Sequence, residues 1–372
     1  MYDNKKRLFT ILIIAAVIFS LFTIYIYSAD KPKLSARSAV LYEPETKTFI
    51  YKENENEHLA MASTTKIMTA LLAIERLKPD KLITIPSEAV GIEGSSLYLE
   101  EGEILSAEAL LYGLILQSAN DAAAALAIEI SGSVENFAAL MNEKAFELGL
   151  SDTNFKNPHG LDDKEHYTTA HDLALIAAEA LKNDAFKKIS SSYKKEIESS
   201  HKTRILVNHN KLLKSYDGCI GVKTGYTKKS GRSLVSAAER DGLTLIAVTI
   251  NAPDDWRDHT ALLDFGYSLL TKARLAYEGE YSFQLPLLDG EHETITVSNR
   301  DSLYKILPKG NSDFEVSIKL SRYAVAPVTE GDKLGEVIFS KDGEELARLP
   351  LTSEKTVNKN TKKGFFPLFR KG

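Results

Sequence analysis

With a single cysteine in 372 residues, Cys219, the chain cannot close an internal disulfide, and a disulfide-stapled fold is excluded. Cys219 lies in an apolar run and reads as a buried strand residue rather than a nucleophile. Positive charge is also in short supply. The 46 Lys and Arg face 51 Asp and Glu, and the net charge of −5 argues against a nucleic-acid surface. No segment repeats, so a solenoid or propeller is not expected. Compact metal-ligand spacing is missing too: His159 is followed by Asp162, Asp163, Glu165 and His166, but their spacing matches no ligand set, and Asn157-Pro158-His159-Gly160 is turn chemistry. Neither a metal nor a cofactor is implied.

What is present, at 44% hydrophobic and 26% charged residues, suffices to bury one large core and one smaller one. Lys5, Lys6 and Arg7 precede an uncharged run from Leu8 to Ala29. A helix of about 20 residues spans the ~30 Å hydrocarbon core, and with the basic cluster held inside, everything after it is exported. Residues 1–30 therefore read as a signal or signal-anchor segment. A cut after Ala29 would put bulky Tyr27 where a small residue is wanted, so an uncleaved anchor competes with a secretory signal.

Alternation in AVLYEPETKTFIY, from Ala39 to Tyr51, suggests a hairpin. Residues 63 to about 189 read as mostly helical, strand signals return from Thr203 to Ile250, and ALLDFGYSLL after Arg257 reads as a helix. Residues 31–275 are thus expected to be an α+β domain, helices beside an antiparallel sheet. After about Ala276 short alternating stretches broken by Asp289-Gly290 and Asp342-Gly343 predict a small β-sandwich over 276–352. The last twenty residues, 353–372, carry six basic residues against Glu354 alone and end in Phe365, Phe366, Leu368 and Phe369. Such a tail suits a membrane interface or a disordered basic end.

Three short patterns supply the chemistry: Ser63-Thr64-Thr65-Lys66, Ser118-Ala119-Asn120 and Lys223-Thr224-Gly225. Each is weak alone, since a lone Ser-x-x-Lys is usually a helix N-cap beside a solvated lysine. Their order and context change that. Ser63 opens an amphipathic run and Lys223 follows an apolar strand-like segment. A serine hydroxyl needs a base within hydrogen-bond reach, and on a helix Lys66 lies about one turn from Ser63 on the same face. Burial and a second cation, for which Lys223 is the candidate, would have to lower the Lys66 pKa. Ser118 could relay a proton to a leaving amine, and the Asn120 amide could donate to and accept from a bound peptide. Lys223 and Thr224 suit a carboxylate, and bare Gly225 would let an extended substrate lie along the strand edge.

The strings around these motifs, Leu59 to Thr69, Gln117 to Ala122, Asn157 to Asp162 and Asp217 to Thr227, resemble the serine D-alanyl-D-alanine carboxypeptidases, the low-molecular-mass penicillin-binding proteins. The resemblance covers about residues 35 to 352. It implies a serine DD-peptidase/β-lactamase-like fold and removal of the terminal D-alanine from peptidoglycan stem peptides through an acyl-enzyme on Ser63. Lys66 would be the general base, Ser118 and Asn120 the second motif, Lys223 and Thr224 the third. The oxyanion hole would be the backbone N–H of Ser63 and of Tyr226, with a donor of this type contributing about 3 kcal/mol. Penicillin and other β-lactams would acylate Ser63 too. The partners implied are peptidoglycan, β-lactams and a membrane, with the chain on the outer side of the cytoplasmic membrane. Arg257 would help hold the substrate carboxylate or else form a surface ion pair. His209, in Asn208-His209-Asn210, stands where relatives often carry arginine, so its charge at neutral pH is only partial.

A class A β-lactamase would need a Glu-x-x-x-Asn loop to activate deacylating water, and no such loop is expected between Asn120 and Lys223. A D,D-endopeptidase would use the same residues. A catalytically silent peptidoglycan-binding protein would be expected to lack a motif residue, and all are present.

Overall fold

A computed structural model describes residues 30–310 and 313–360. The apolar N-terminal run and the tail beyond residue 360 lie outside the described residues. Two units are resolved, one of residues 30–269 and one beginning at Leu270.

In the first unit β1 (Ser38–Glu43) and β2 (Thr48–Glu53) form the expected antiparallel hairpin. A 3-10 turn, Ala62–Thr65, runs directly into α1 (Lys66–Arg76). Short β3 (Leu82–Thr84) and β4 (Ile104–Ser106) pair with each other, and then come α2 (Ala107–Leu116), α3 (Asn120–Ser131), α4 (Val134–Glu147), α5 (Ala170–Leu181) and α6 (Asp184–Ser191). Side-chain caps start four of these helices. Ser106, Ser133, Thr169 and Asn183 each accept a backbone N–H from the first turn of α2, α4, α5 and α6. Gly132, at φ +80°, ends α3 in the left-handed conformation. The hairpin β5 (Lys194–Glu198) and β6 (Thr203–Val207), the one-turn α7 (Leu212–Ser215), β7 (Cys219–Thr227), β8 (Gly231–Arg240), β9 (Leu243–Ile250) and α8 (Asp255–Leu269) complete the unit.

The main sheet runs β2-β1-β9-β8-β7, antiparallel throughout, with β7 on an edge. Its central strands are apolar on both faces because both are covered. Val40, Val235, Ala237, Ile246 and Val248 join the core built with the helices α1 to α6. On the opposite face α8 lies so close that a Cβ on Gly266 would come within 2.7 Å of Leu245 and Leu41. Cys219 sits in β7 as expected but is only half-buried, and burial raises its thiol pKa. No single described helix is long and apolar enough to cross a membrane.

The second unit is all β: β10 (Leu270–Ala276), β11 (Ser282–Leu288), β12 (Thr294–Ser298), β13 (Leu303–Pro308), β14 (Glu315–Leu320), β15 (Ala324–Val325), β16 (Lys333–Lys341) and β17 (Glu344–Ser353). β10 pairs with β13, and the rest form a sheet in the order β14-β16-β17-β12-β11-β15. Leu275 and Leu307 from the small sheet share one core with Leu285, Val297 and Phe339 from the large one. Asp342 and Gly343, at φ +51° and +80°, make the tight turn between β16 and β17. Packing continues past Ser353, for Val357 is buried and bridges Val328.

One buried group ties α8 to the sheet. His259 is fully buried, with Nδ1 2.5 Å from Ser236 Oγ on β8 and Nε2 2.9 Å from Thr249 Oγ1 on β9. Burial lowers its pKa to about 3, against about 6.5 in an unfolded chain. Unfolding therefore takes up a proton below pH 6.5. Stability from this group is complete above that pH and is lost as pH falls towards 3, by up to about 1.4 kcal/mol per pH unit. Urea unfolding at pH 6.5 and pH 5 should show His259→Gln losing about 2 kcal/mol less than wild type over that interval. Equal losses would assign the acid sensitivity to other groups.

Candidate active site

The 3-10 turn that carries Ser63 is held in an unfavourable shape. Ala62 lies at φ +48°, a left-handed conformation rare for a residue with a side chain, so surrounding contacts must enforce it. Thr65 Oγ1 donates to the Ala62 carbonyl at 2.8 Å. Behind it stands His166, buried, whose Nδ1 accepts the Lys156 N–H at 3.0 Å. That bond leaves the proton on Nε2, which donates to Thr65 Oγ1 at 2.8 Å. Burial pushes the His166 pKa down to about 4, so the ring stays neutral at working pH. Gly160, at φ +89°, abuts the turn from the Asn157–Leu161 loop: a Cβ there would lie 1.9 Å from the Ala62 carbonyl oxygen.

β7 closes on the turn from the other side. A Cβ on Gly225 would sit 3.2 Å from Met61 O, Ser63 N and Thr64 N. The missing side chain thus lets the strand pack against the backbone around Ser63, a steric reason that the strand-edge reading of this glycine did not contain.

Lys66 is the first residue of α1 and is fully buried. Its Nζ lies 2.9 Å from Ser63 Oγ, 2.7 Å from Asn120 Oδ1 and 2.5 Å from the His159 carbonyl. Burial, and then the charge of Lys223, lowers its pKa well below the ordinary lysine value, while Asp121 acts the other way. Lys223 on β7 is also buried, with Nζ 3.0 Å from the Thr224 carbonyl, and burial brings its pKa to about 7. Asn120 opens α3. Its Nδ2 donates to Glu93 O at 2.5 Å and its backbone N–H to Ser95 O at 2.7 Å. Both ends of this amide, expected to meet a bound peptide, already have protein partners, though each keeps one spare hydrogen-bonding position.

Ser118 precedes α3, buried, at φ +59°, and its hydroxyl makes no hydrogen bond with another described residue. The Thr224 hydroxyl likewise has none. A cleft of about 430 Å³ is lined by Ser63, Gly94, Ser95, Asn120, His159, Gly160, Leu161, Tyr226 and Thr227. Thr227 Oγ1, 3.1 Å from Asp162 Oδ1, joins the end of β7 to the Asn157–Leu161 side. Arg257 is elsewhere: exposed on the first turn of α8, it pairs with Asp254 at 3.1 Å and Asp258 at 3.9 Å, and it does not line the cleft. His209 has its pKa lowered by partial burial and then by Lys223, which favours the neutral ring.

Glu-x-x-x-Asn does occur between Asn120 and Lys223, at Glu179 to Asn183, contrary to expectation. It lies on α5 and its exit rather than in a cleft loop. Glu179 accepts from Lys182, and Asn183 caps α6, so neither is placed to activate water at Ser63. Among the described residues no group of three His, Cys, Asp or Glu is arranged to hold a metal. Asp121, the Glu93–Ser95 segment, the His159 carbonyl and His166 went unassigned in the sequence. Asp121 and His159 fall within the strings that carry the resemblance, Gln117 to Ala122 and Asn157 to Asp162, whereas the Glu93–Ser95 segment had no signal and His166 invited only a metal reading.

Comparison with known proteins agrees with this geometry. A family model described as D-alanyl-D-alanine carboxypeptidase matches residues 26–254, and one described as the C-terminal domain of penicillin-binding protein 5 matches residues 272–359. The D-alanyl-D-alanine carboxypeptidase DacF of Bacillus subtilis is 36% identical over 335 residues, 87% of this chain and 86% of its own. The carboxypeptidase DacC of Escherichia coli is 30% identical over 91% of this chain and 88% of its own. The crystal structure of penicillin-binding protein 5 from Haemophilus influenzae, 27% identical, aligns with 89% of this chain and all of its own at a TM-score of 0.66. With its serine, its buried lysine pair and both units matched, the chain belongs to the D-alanyl-D-alanine carboxypeptidase family.

Proposed function

We propose that Ser63 is the nucleophile and Lys66 its general base in removal of the terminal D-alanine from peptidoglycan stem pentapeptides. The hydrogen bonds of the Lys66 amine carry this reading. Glu93 O can only accept, so it fixes the Asn120 amide with its oxygen towards Lys66. The His159 carbonyl can also only accept. A neutral amine has two N–H groups and one lone pair. The two carbonyl oxygens take both hydrogens, which leaves the lone pair for the Ser63 hydroxyl 2.9 Å away. Burial and Lys223 favour that neutral form.

Ser63 Oγ then attacks the carbonyl of the penultimate D-alanine as its proton passes to Lys66 Nζ. The oxyanion forms at the backbone N–H groups of Ser63 and Tyr226, which the Gly225 contact brings close. The proton moves through Ser118 to the leaving nitrogen, the C–N bond breaks, and D-alanine departs. Water, deprotonated by the neutral Lys66, hydrolyses the ester and restores Ser63. Lys223 and Thr224 receive the substrate carboxylate, whose charge favours protonated Lys223, and Asn120 uses its spare positions on the peptide. Gly225 lines the strand edge, while Arg257 forms the surface ion pair with Asp254 and has no part in these steps. A β-lactam enters the same way and leaves an ester on Ser63.

Peptidoglycan lies outside the cytoplasm, so residues 1–30 serve as the export segment; the catalytic domain expected over 31–275 ends at Leu269, because β10 pairs with β13, and the β domain expected over 276–352 begins at Leu270. Of the basic aromatic tail expected over 353–372, residues up to Lys359 pack on the β domain, and the end carrying Phe365, Phe366 and Phe369 contacts the membrane. The charge pattern of Lys5 to Ala29 and the composition of the tail support this arrangement.

Free D-alanine should be released from a pentapeptide ending in D-Ala-D-Ala by wild type and not by Ser63→Ala, which should also retain no labelled penicillin. Penicillin retention without D-alanine release would redirect the reading to a cross-link-cleaving endopeptidase. Lys223→Gln removes a cation that lowers the Lys66 pKa, so less Lys66 is neutral at a given pH. The acid limb of penicillin acylation should move up by about one pH unit, while Lys223→Arg leaves it in place. An unmoved limb in Lys223→Gln would mean that burial alone sets the base.

A further inference from the structure

Asp121 follows Asn120, and its buried carboxylate has no part in the steps above. Oδ2 accepts from Ser96 Oγ at 2.6 Å, Leu97 N at 3.0 Å and Leu99 N at 3.1 Å. Oδ1 accepts from Leu97 N at 3.1 Å and Ala122 N at 2.9 Å. Only Ala122 belongs to α3, so ordinary satisfaction of a helix N-terminus does not explain the arrangement. The other three donors lie on residues 93–99, a segment with no helix or strand of its own. Gly94 and Ser95 of that segment line the cleft. Its Glu93 and Ser95 carbonyls hold the side chain and main chain of Asn120, and a Cβ on Gly94 would come 2.9 Å from Asn120 Nδ2. Ser96 Oγ, while donating to Asp121, accepts the N–H of Tyr98, which stands 80% exposed at φ +54°. One carboxylate therefore gathers a wall of the cleft against the residue that orients the base.

We propose that Asp121 is a positioning residue of the carboxypeptidase reaction, fixing the Glu93–Leu99 wall against Asn120 and thereby setting the substrate cleft and the place of the Lys66 amine. This rests on the D-alanine-releasing reading above. A residue serving packing alone would affect folding; Asp121 also acts on the base through its charge and holds the wall that bonds Asn120. The charged and titratable groups around Lys66 are Lys223 from β7, Asp121 from α3, and His159 and His166 from the loop before α5. Burial lowers the two histidines to about 3 and 4, so they are neutral at working pH. Asp121 is the anion of this set, and its loss makes Lys66 easier to deprotonate.

The test is steady-state D-alanine release by the full chain against pH, beside thermal melting. Wild-type release in the same assay checks the underlying reading independently. Asp121→Asn keeps the volume but turns an NH2 towards N–H donors. It should raise KM for the peptide about tenfold and shift the acid limb of kcat/KM to lower pH. Ser96→Ala removes one donor and leaves the charge, so it should raise KM severalfold with the acid limb unmoved. A lower melting temperature in Asp121→Asn with KM and acid limb unchanged would overturn the proposal. Should that variant fail to fold, Ser96→Ala decides: raised KM supports the proposal, and wild-type kinetics overturn it.

Discussion

A lysine amine without water is the constraint on which this fold depends. Lys66 is completely buried, and an ammonium there would lack the hydration that stabilises it in solvent. The protein answers with three oxygens at hydrogen-bond distance, two of which can only accept. Those two come from different parts of the chain, Asn120 at the head of α3 and His159 in the loop before α5. Base, nucleophile turn, loop and helix must therefore assemble together. A second buried lysine on β7 adds its charge from the remaining side, at a cost that a structural site would have no reason to bear.

Sterics complete what the amine begins. Ala62 holds a left-handed conformation only because its neighbours leave no alternative. Gly160 and Gly225 are two glycines at which those neighbours come close to the turn's backbone. The Thr65–His166 bond then fixes the turn's side chains to the loop. The nucleophile is thus placed by main-chain packing from an edge strand and a loop, each held by a bare glycine.

Much of the architecture was legible because it is local. The β1–β2 hairpin follows from alternation and the β16–β17 turn from Asp342-Gly343. The passage from α8 to β10 was less visible, since the apolar run through Leu269 and Leu270 has no breaker between helix and strand. At the site, the three motifs marked Ser63, Lys66, Asn120 and Lys223, but not what holds them. His166 reaches Thr65 and Asp121 gathers residues 96–99 across gaps in sequence that no periodic pattern spans. Gly225 had a visible motif and a hidden reason, because the backbone it touches belongs to a distant segment.

The hydrogen-bond inventory also separates two kinds of site residue. Lys66, Asn120 and His166 have internal partners for their side chains, so their positions are fixed before any substrate arrives. The hydroxyls of Ser118 and Thr224 make no hydrogen bond to another described residue, although both residues lie within the motifs. Fixed groups suit the work that must not move, orienting a lone pair at Ser63. Hydroxyls without internal partners suit the work that varies during turnover, accepting a proton in one step and giving it up in the next, or meeting a carboxylate that comes and goes. The geometry of the turn can then stay constant through acylation and hydrolysis, while Lys66 gains and loses its proton in place and the uncommitted hydroxyls change partners.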